Sequence, residues 1–211
     1  GKNVEHPADA YEIDLSGKHV YPGFIEPYFI QEKEKSMDRP RGNHQKPKPK
    51  EIATATSHWN PKVTPDRHVL EGFTLKEKQT ENLRNLGFTT AHVVPSSGIF
   101  RGQSALIHLG DWSPSSIIKE AGPAQSIGYE YGSWSDPTYP NSLLGAVALI
   151  RQTFYDAQWY DAAWKVYKRY PQNNDQPEED RALTALNIHL KNNNAFLFET
   201  GEELAALRAG K

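Results

Sequence analysis

A chain of 211 residues has the length of one ordinary domain, or of a large piece of a bigger one. Its net charge of -2 gives no global field to attract nucleic acid or anionic lipid, and its mean hydropathy of -0.72 is that of a soluble chain without a membrane span. Cysteine is absent, which removes disulfides, thiolate metal sites and a cysteine nucleophile together and leaves the compartment open: cytoplasmic, or exported with a leader removed before Gly1.

The first informative stretch is Asp14-Leu-Ser-Gly-Lys-His-Val-Tyr-Pro-Gly-Phe-Ile-Glu-Pro-Tyr-Phe-Ile30. Ser16-Gly17 and Pro22-Gly23 are turn signals, each beside a short apolar run. Ile13 and Leu15 read as an extended edge, and His19-Val20-Tyr21 as a second extended segment. Pro22 cannot donate to a sheet ladder, so Pro22-Gly23 is a kink between two sheets, after which Phe24-Ile25 opens a buried strand. Residues from Gln31 to about Lys50 are nearly devoid of apolar side chains, and Pro40, Pro47 and Pro49 forbid a helix through the second half. Lys46 to Lys50 could serve as a basic arm for phosphates. Glu32, Glu34, Asp38 and Glu51 offset that charge and no aromatic residue is interleaved, so a solvated excursion at about 31–50 is the preferred reading.

Glu51 to Phe73 is irregular, with Trp59-Asn60-Pro61 and Thr64-Pro65-Asp66 as turn formers. His58 and Trp59 there are a ligand and stacking pair, or packing for a loop over the mouth of the fold. Thr74 caps a helix through Leu83 and Leu86 that stops at Gly87. Phe88 to Val94 is the clearest strand, β-branched and bounded by Gly87 and Pro95, with His92 near its C-terminal end. Gly98 and Gly102 flank Arg101, which is either a carboxylate or phosphate clamp or a pin for its own loop. A hairpin follows with Ala105 to Leu109 as its second strand, and His108 and Asp111 fall near the same rim.

Ser115 to Ala121 reads as a short helix or turn, and Ala124 to Glu130 as a strand. Tyr129 to Tyr139 is rich in aromatics and turn formers, like a sugar-stacking surface or an ordinary aromatic loop. Pro140-Asn141 opens the longest helix. Its apolar stripe runs Leu143, Val147, Ile150, Phe154, Ala157, Tyr160, Trp164, with a break near Gln158 or an extension toward a partner as the two ways to reach that length. Pro177-Glu178-Glu179 opens another helix through Leu190, Ala195 to Glu199 is a short strand, and Gly201 starts a terminal helix with Leu204 and Leu207 on its apolar face.

Three stretches carry a resemblance. Asp14 to Glu26, the run Leu83-Arg-Asn-Leu-Gly-Phe-Thr-Thr90, and above all Tyr139-Pro-Asn-Ser-Leu-Leu-Gly-Ala-Val-Ala-Leu-Ile-Arg-Gln-Thr-Phe-Tyr-Asp-Ala-Gln-Trp-Tyr160 resemble the amidohydrolase superfamily, imidazolonepropionase-like branch. The resemblance implies an α/β fold: a partial (β/α)8, TIM-like barrel over 23–211, with residues 1–22 giving strands to a small β-domain. In that family the first run leads at once into His-x-His, which binds a catalytic metal. Here Glu26 holds the acidic position and the two histidine slots fall on Tyr28 and Ile30, and an isoleucine has no lone pair to give. A later metal-binding slot falls, to within one residue, on Glu199. His92, Arg101 and Asp111 are the pocket-lining candidates, and no cofactor is evident within the chain.

Two functions follow. One is hydrolysis of a non-peptide C–N bond, amide or cyclic amide, of a small molecule, with one zinc or iron held mainly outside this chain. The other is a non-catalytic barrel, a pseudoenzyme, acting as a binding or assembly module. Within the chain the second is preferred, because no His-x-His, His-Glu-x-x-His or Ser-His-Asp arrangement is visible. The expected partner is the remainder of the barrel, from the same gene product or a second chain, or a second copy that covers the open strand edge. Nucleic acid and membrane are not expected partners.

Overall fold

A computed structural model describes residues 9, 11, 13–30, 57–71, 73, 75, 77–110, 117–119, 123–132 and 138–210; Thr74, Asp111 and the excursion expected at 31–50 lie outside them. Chain order is β1 (Phe24–Phe29), α1 (Glu77–Asn85), β2 (Phe88–Val93), β3 (Phe100–Gln103), β4 (Ala105–His108), β5 (Ile117–Lys119), β6 (Ala124–Gly128), α2 (Leu143–Arg169), α3 (Arg181–Lys191), β7 (Ala195–Glu199) and α4 (Glu203–Ala209). This is a mixed α/β arrangement. Among the described residues no helix is long and apolar enough to cross a membrane.

The strands form two sheets, β1-β2-β4-β5 and β3-β6-β7. Each contains one parallel pair joined through helix: β1 with β2 across α1, and β6 with β7 across α2 and α3. Parallel neighbours require such crossovers, which is why each strand that alternates with helix in sequence finds a parallel partner.

The expected hairpin at Gly98 to Leu109 does not form. β3 pairs antiparallel with β6 and β4 pairs antiparallel with β2, so the two consecutive strands lie in different sheets. Ser104 is the pivot between them. It is fully buried, its amide and its hydroxyl both donate to the Ala124 carbonyl at 3.0 and 2.9 Å, and its Oγ accepts from the Ala124 amide at 3.1 Å. A serine can satisfy the backbone groups that a switch of sheets leaves unpaired, because its oxygen both donates and accepts.

Several boundaries also move. Part of the segment read as a short helix or turn at Ser115 to Ala121 is β5, antiparallel to β4. Phe24 and Ile25, read as the start of a buried strand, are 62% and 61% exposed, because β1 is the edge of its sheet. Around Ser16-Gly17 the chain turns, with Gly17 at φ 75°, and the flanking Ile13, Leu15, Val20 and Tyr21 are exposed. Helix α2 runs 27 residues without a break at Gln158, since no glycine or proline interrupts it after Gly145. Ser142 caps it by accepting from the Gly145 amide at 3.2 Å. Asp180 caps α3 through the Leu183 amide at 2.9 Å, which starts that helix at Arg181, beyond the expected opening at Pro177.

Alternation along the strands decides what faces each core. Phe100, Ile127, Phe196 and Phe198 meet Leu149, Ile150, Phe154, Leu183 and Leu186 of the long helices in one cluster. Ala91, Val93, Ile107 and Leu109 meet Phe29, Leu83 and Phe88 in the other. Side chains one residue out of step with these (Tyr28, His92, Arg101, Glu199) are therefore sent to the opposite faces.

Candidate functional site

That alternation brings three of the singled-out residues into contact. The Tyr28 hydroxyl from β1 donates to Glu199 Oε2 at the end of β7, and Arg101 Nη1 from β3 pairs with the same oxygen. Tyr28 and Glu199 are 171 residues apart in sequence and lie on the two sheets' separate edge strands. Their contact draws the C-terminal ends of β1 and β7 together.

The arginine is held from several sides. Its side chain is only 6% exposed, and its Nε donates to the Gly98 carbonyl at 3.0 Å. The Gly98 amide in turn donates to Glu130 at 2.7 Å. The guanidinium packs against Gly128, where a Cβ would overlap Nη2, and Arg101, buried and bonded on two sides, has little room to yield, so the glycine at the end of β6 leaves it space. Gly98 and Gly102 hold φ of 104° and 110°, backbone that suits glycine, and this fixes the short strand that presents Arg101. Arg101 thus pins its own loop through the Gly98 carbonyl and pairs with a carboxylate of the protein itself, Glu199.

The electrostatics follow from the contacts. Burial raises the Tyr28 hydroxyl, and the hydrogen bond and charge of Glu199 raise it further against the pull of Arg101, so its pKa is pushed up to about 12. Burial also raises the Glu199 carboxyl, but the hydrogen bonds from Tyr28 and Arg101, with the guanidinium charge, outweigh it and leave the group below its ordinary value. At neutral pH the cluster is thus a neutral phenol, a carboxylate and a guanidinium.

His92 stands near the C-terminal end of β2, on the face opposite Ala91 and Val93. Its Nδ1 lies 3.0 Å from the Pro27 carbonyl, which can only accept, so Nδ1 carries the proton. Nε2 is buried with no hydrogen-bond partner among the described residues. His108 is exposed and pairs with Thr90, toward the start of β2 and away from His92. Ile30 follows β1, half-buried, and Asp111 lies outside the described residues.

His58 and Trp59 take the loop-packing role. His58 is buried and its Nδ1 accepts from the Asn60 amide at 3.1 Å; burial, against a raising influence of Asp180, holds its pKa below the ordinary histidine value. Asn60 Nδ2 donates to the Tyr139 carbonyl at 2.9 Å and Trp59 stacks on Tyr139, which ties this loop to the start of α2.

The donor set does not fit a divalent cation at the slots of the first strand. The phenol is held protonated, Ile30 offers no lone pair, and Glu199 already neutralises a guanidinium whose charge would repel a second cation. Among the described residues no group of three or more His, Cys, Asp or Glu side chains is placed to hold a metal. Sequence reasoning missed Gly128 and Glu130. A glycine ending an otherwise buried strand, Ala124 to Gly128, was the available signal of a close approach.

No protein-family model and no curated protein matches the sequence. Among solved structures, the fold is similar to the crystal structure of an amidohydrolase from Thermotoga maritima MSB8, with a TM-score of 0.68 and 20% identity over 99% of this chain and 52% of that one. The chain therefore spans about half the length of that structure. At that identity the likeness is one of fold: a mixed α/β chain built like part of an amidohydrolase.

Proposed function

We propose that this chain is the first half of an amidohydrolase-type (β/α)8 barrel in which a guanidinium has taken the place of a metal ion, and that it works as a binding or assembly module. The observation that carries the reading is the Arg101–Glu199–Tyr28 contact. A metal-binding strand end needs excess negative charge and free lone pairs, and here both are consumed inside the protein. Supporting the barrel are the two parallel pairs joined through helix, the approach of the β1 and β7 ends, and the likeness to half of an amidohydrolase. In this reading residues 1–22 belong with a small β-domain, and the rest of the barrel comes from the same gene product or a second chain that pairs with the free edges of β1 and β7.

The test is metal content. Protein dialysed against zinc or iron, then washed, is expected to retain the same metal content as its Glu199→Gln variant. One equivalent retained by the parent and lost in the variant would overturn the reading.

A second reading, hydrolysis of a small-molecule amide or cyclic amide by the complete protein, draws on His92. Its Nε2 is buried with no hydrogen-bond partner among the described residues, and an imidazole nitrogen is the kind of donor a zinc or iron site uses. Metal bound by the complete protein at one equivalent and lost on His92→Ala would select this reading over the first.

A further inference from the structure

On the far side of the strands from the Tyr28 cluster, a groove of about 770 Å³ runs between α2 and α4. Its walls are apolar: Leu143, Val147 and Phe154 of α2 and Phe198 of β7. Two cations, Arg151 and Arg208, and Tyr129 also line it, and no carboxylate does among the described residues. Neither arginine pairs with a carboxylate among the described residues, and the Tyr129 hydroxyl makes no hydrogen bond with any of them. Arg151, Arg208 and Tyr129 thus lie on the lining of one groove.

We infer that this groove binds an amphipathic monocarboxylate, its head between Arg151 and Arg208 and its alkyl or aryl body along Val147, Phe154 and Phe198. The size is that of a small-molecule site, which takes roughly 300 to 1,000 Å³. The charge supplies the class: two cations and a hydroxyl donor without an acceptor, beside an apolar trough, match a ligand with one anionic end and no other polar group. A neutral lipid would leave the guanidiniums unmatched, and a cationic one would be repelled. The site lies on the helical layer and does not depend on the function proposed for the Tyr28 cluster.

Calorimetric titration of the whole chain with octanoate, octanol and octylammonium tests the assignment. Octanoate is expected to bind one-to-one, at least about tenfold tighter than octanol, with octylammonium not binding. A charge-assisted hydrogen bond is worth about a tenfold change or more, so Arg151→Gln and Arg208→Gln should each weaken octanoate by that factor. Arg169→Gln, on the same helix but outside the groove, should change nothing, and circular dichroism verifies that each variant is folded. Equal binding of octanoate and octanol, no saturable binding up to millimolar octanoate, or indifference of the folded Arg151 and Arg208 variants would each overturn the proposal.

Discussion

Tyr28 shows how far a single contact redirects a residue's chemistry. A tyrosine binds a metal well only as tyrosinate, yet this one hydrogen-bonds to a carboxylate and its pKa is pushed up to about 12 from the ordinary 10. The sign for stability follows. The folded chain holds the proton more tightly than the unfolded chain, so the contribution is complete below pH 10 and is lost as pH rises from 10 through 12. Subtracting the phenolate absorbance of a Tyr28→Phe variant from that of the parent isolates this group among the 10 tyrosines. The difference curve is expected to have its midpoint near pH 12, and Arg101→Gln should shift it higher by removing the charge that opposes the rise. A midpoint near 10 in the parent would dissolve the cluster as described. That Ile30 has no lone pair to offer a metal was legible from its chemistry; that an arginine pairs with the carboxylate beside Tyr28 was not, since Arg101 and Glu199 stand 98 residues apart.

The elements divide by how local their causes are. Strand β2 and helix α2 were readable because a β-branched run between glycine and proline, and an apolar stripe stepping by threes and fours, depend only on near neighbours. The β3–β4 segment was misread as a hairpin for a non-local reason: two adjacent extended runs look the same in sequence whether they pair with each other or with different sheets. What separates the cases is Gly102, whose φ of 110° and close approach to the Arg67 carbonyl allow the chain to run against the loop at 62–68. Alanine there would both strain the backbone and overlap that carbonyl, and no flexible side-chain tip is available to yield. Gly102→Ala is expected to cost at least about 2 kcal/mol by urea unfolding, whereas Gly17→Ala, at φ 75° with open space around it, should cost about 1 kcal/mol. Equal losses at the two glycines would show that the Arg67 contact adds nothing.

At the scale of the whole molecule, groups on separate elements set the response to acid. His58 in its loop and His189 on α3 are both lowered by burial, so the folded chain keeps them neutral, and the stability they give is complete above 6.5 and lost as pH falls below it. Glu199 is lowered on balance, so its contribution is present above 4.5 and lost as pH falls through its folded value. Urea midpoints measured from pH 8 downward are thus expected to decline in two successive stages, one beginning below about 6.5 and one below about 4.5. Midpoints unchanged between pH 7 and 5 would contradict the assignment of buried neutral histidines. The sequence by itself determined elements such as β2 and α2, the absence of a His-x-His pair and the identity of the residues at the strand ends, because periodicity, turn chemistry and lone pairs are properties of short stretches. Only the tertiary structure decided that β3 and β4 part company at Ser104, that Tyr28, Arg101 and Glu199 meet, and that Arg151, Arg208 and Tyr129 ring one groove. Each depends on which distant strands and helices become neighbours, and the chain settles that by burying its two apolar clusters rather than by any rule confined to adjacent residues.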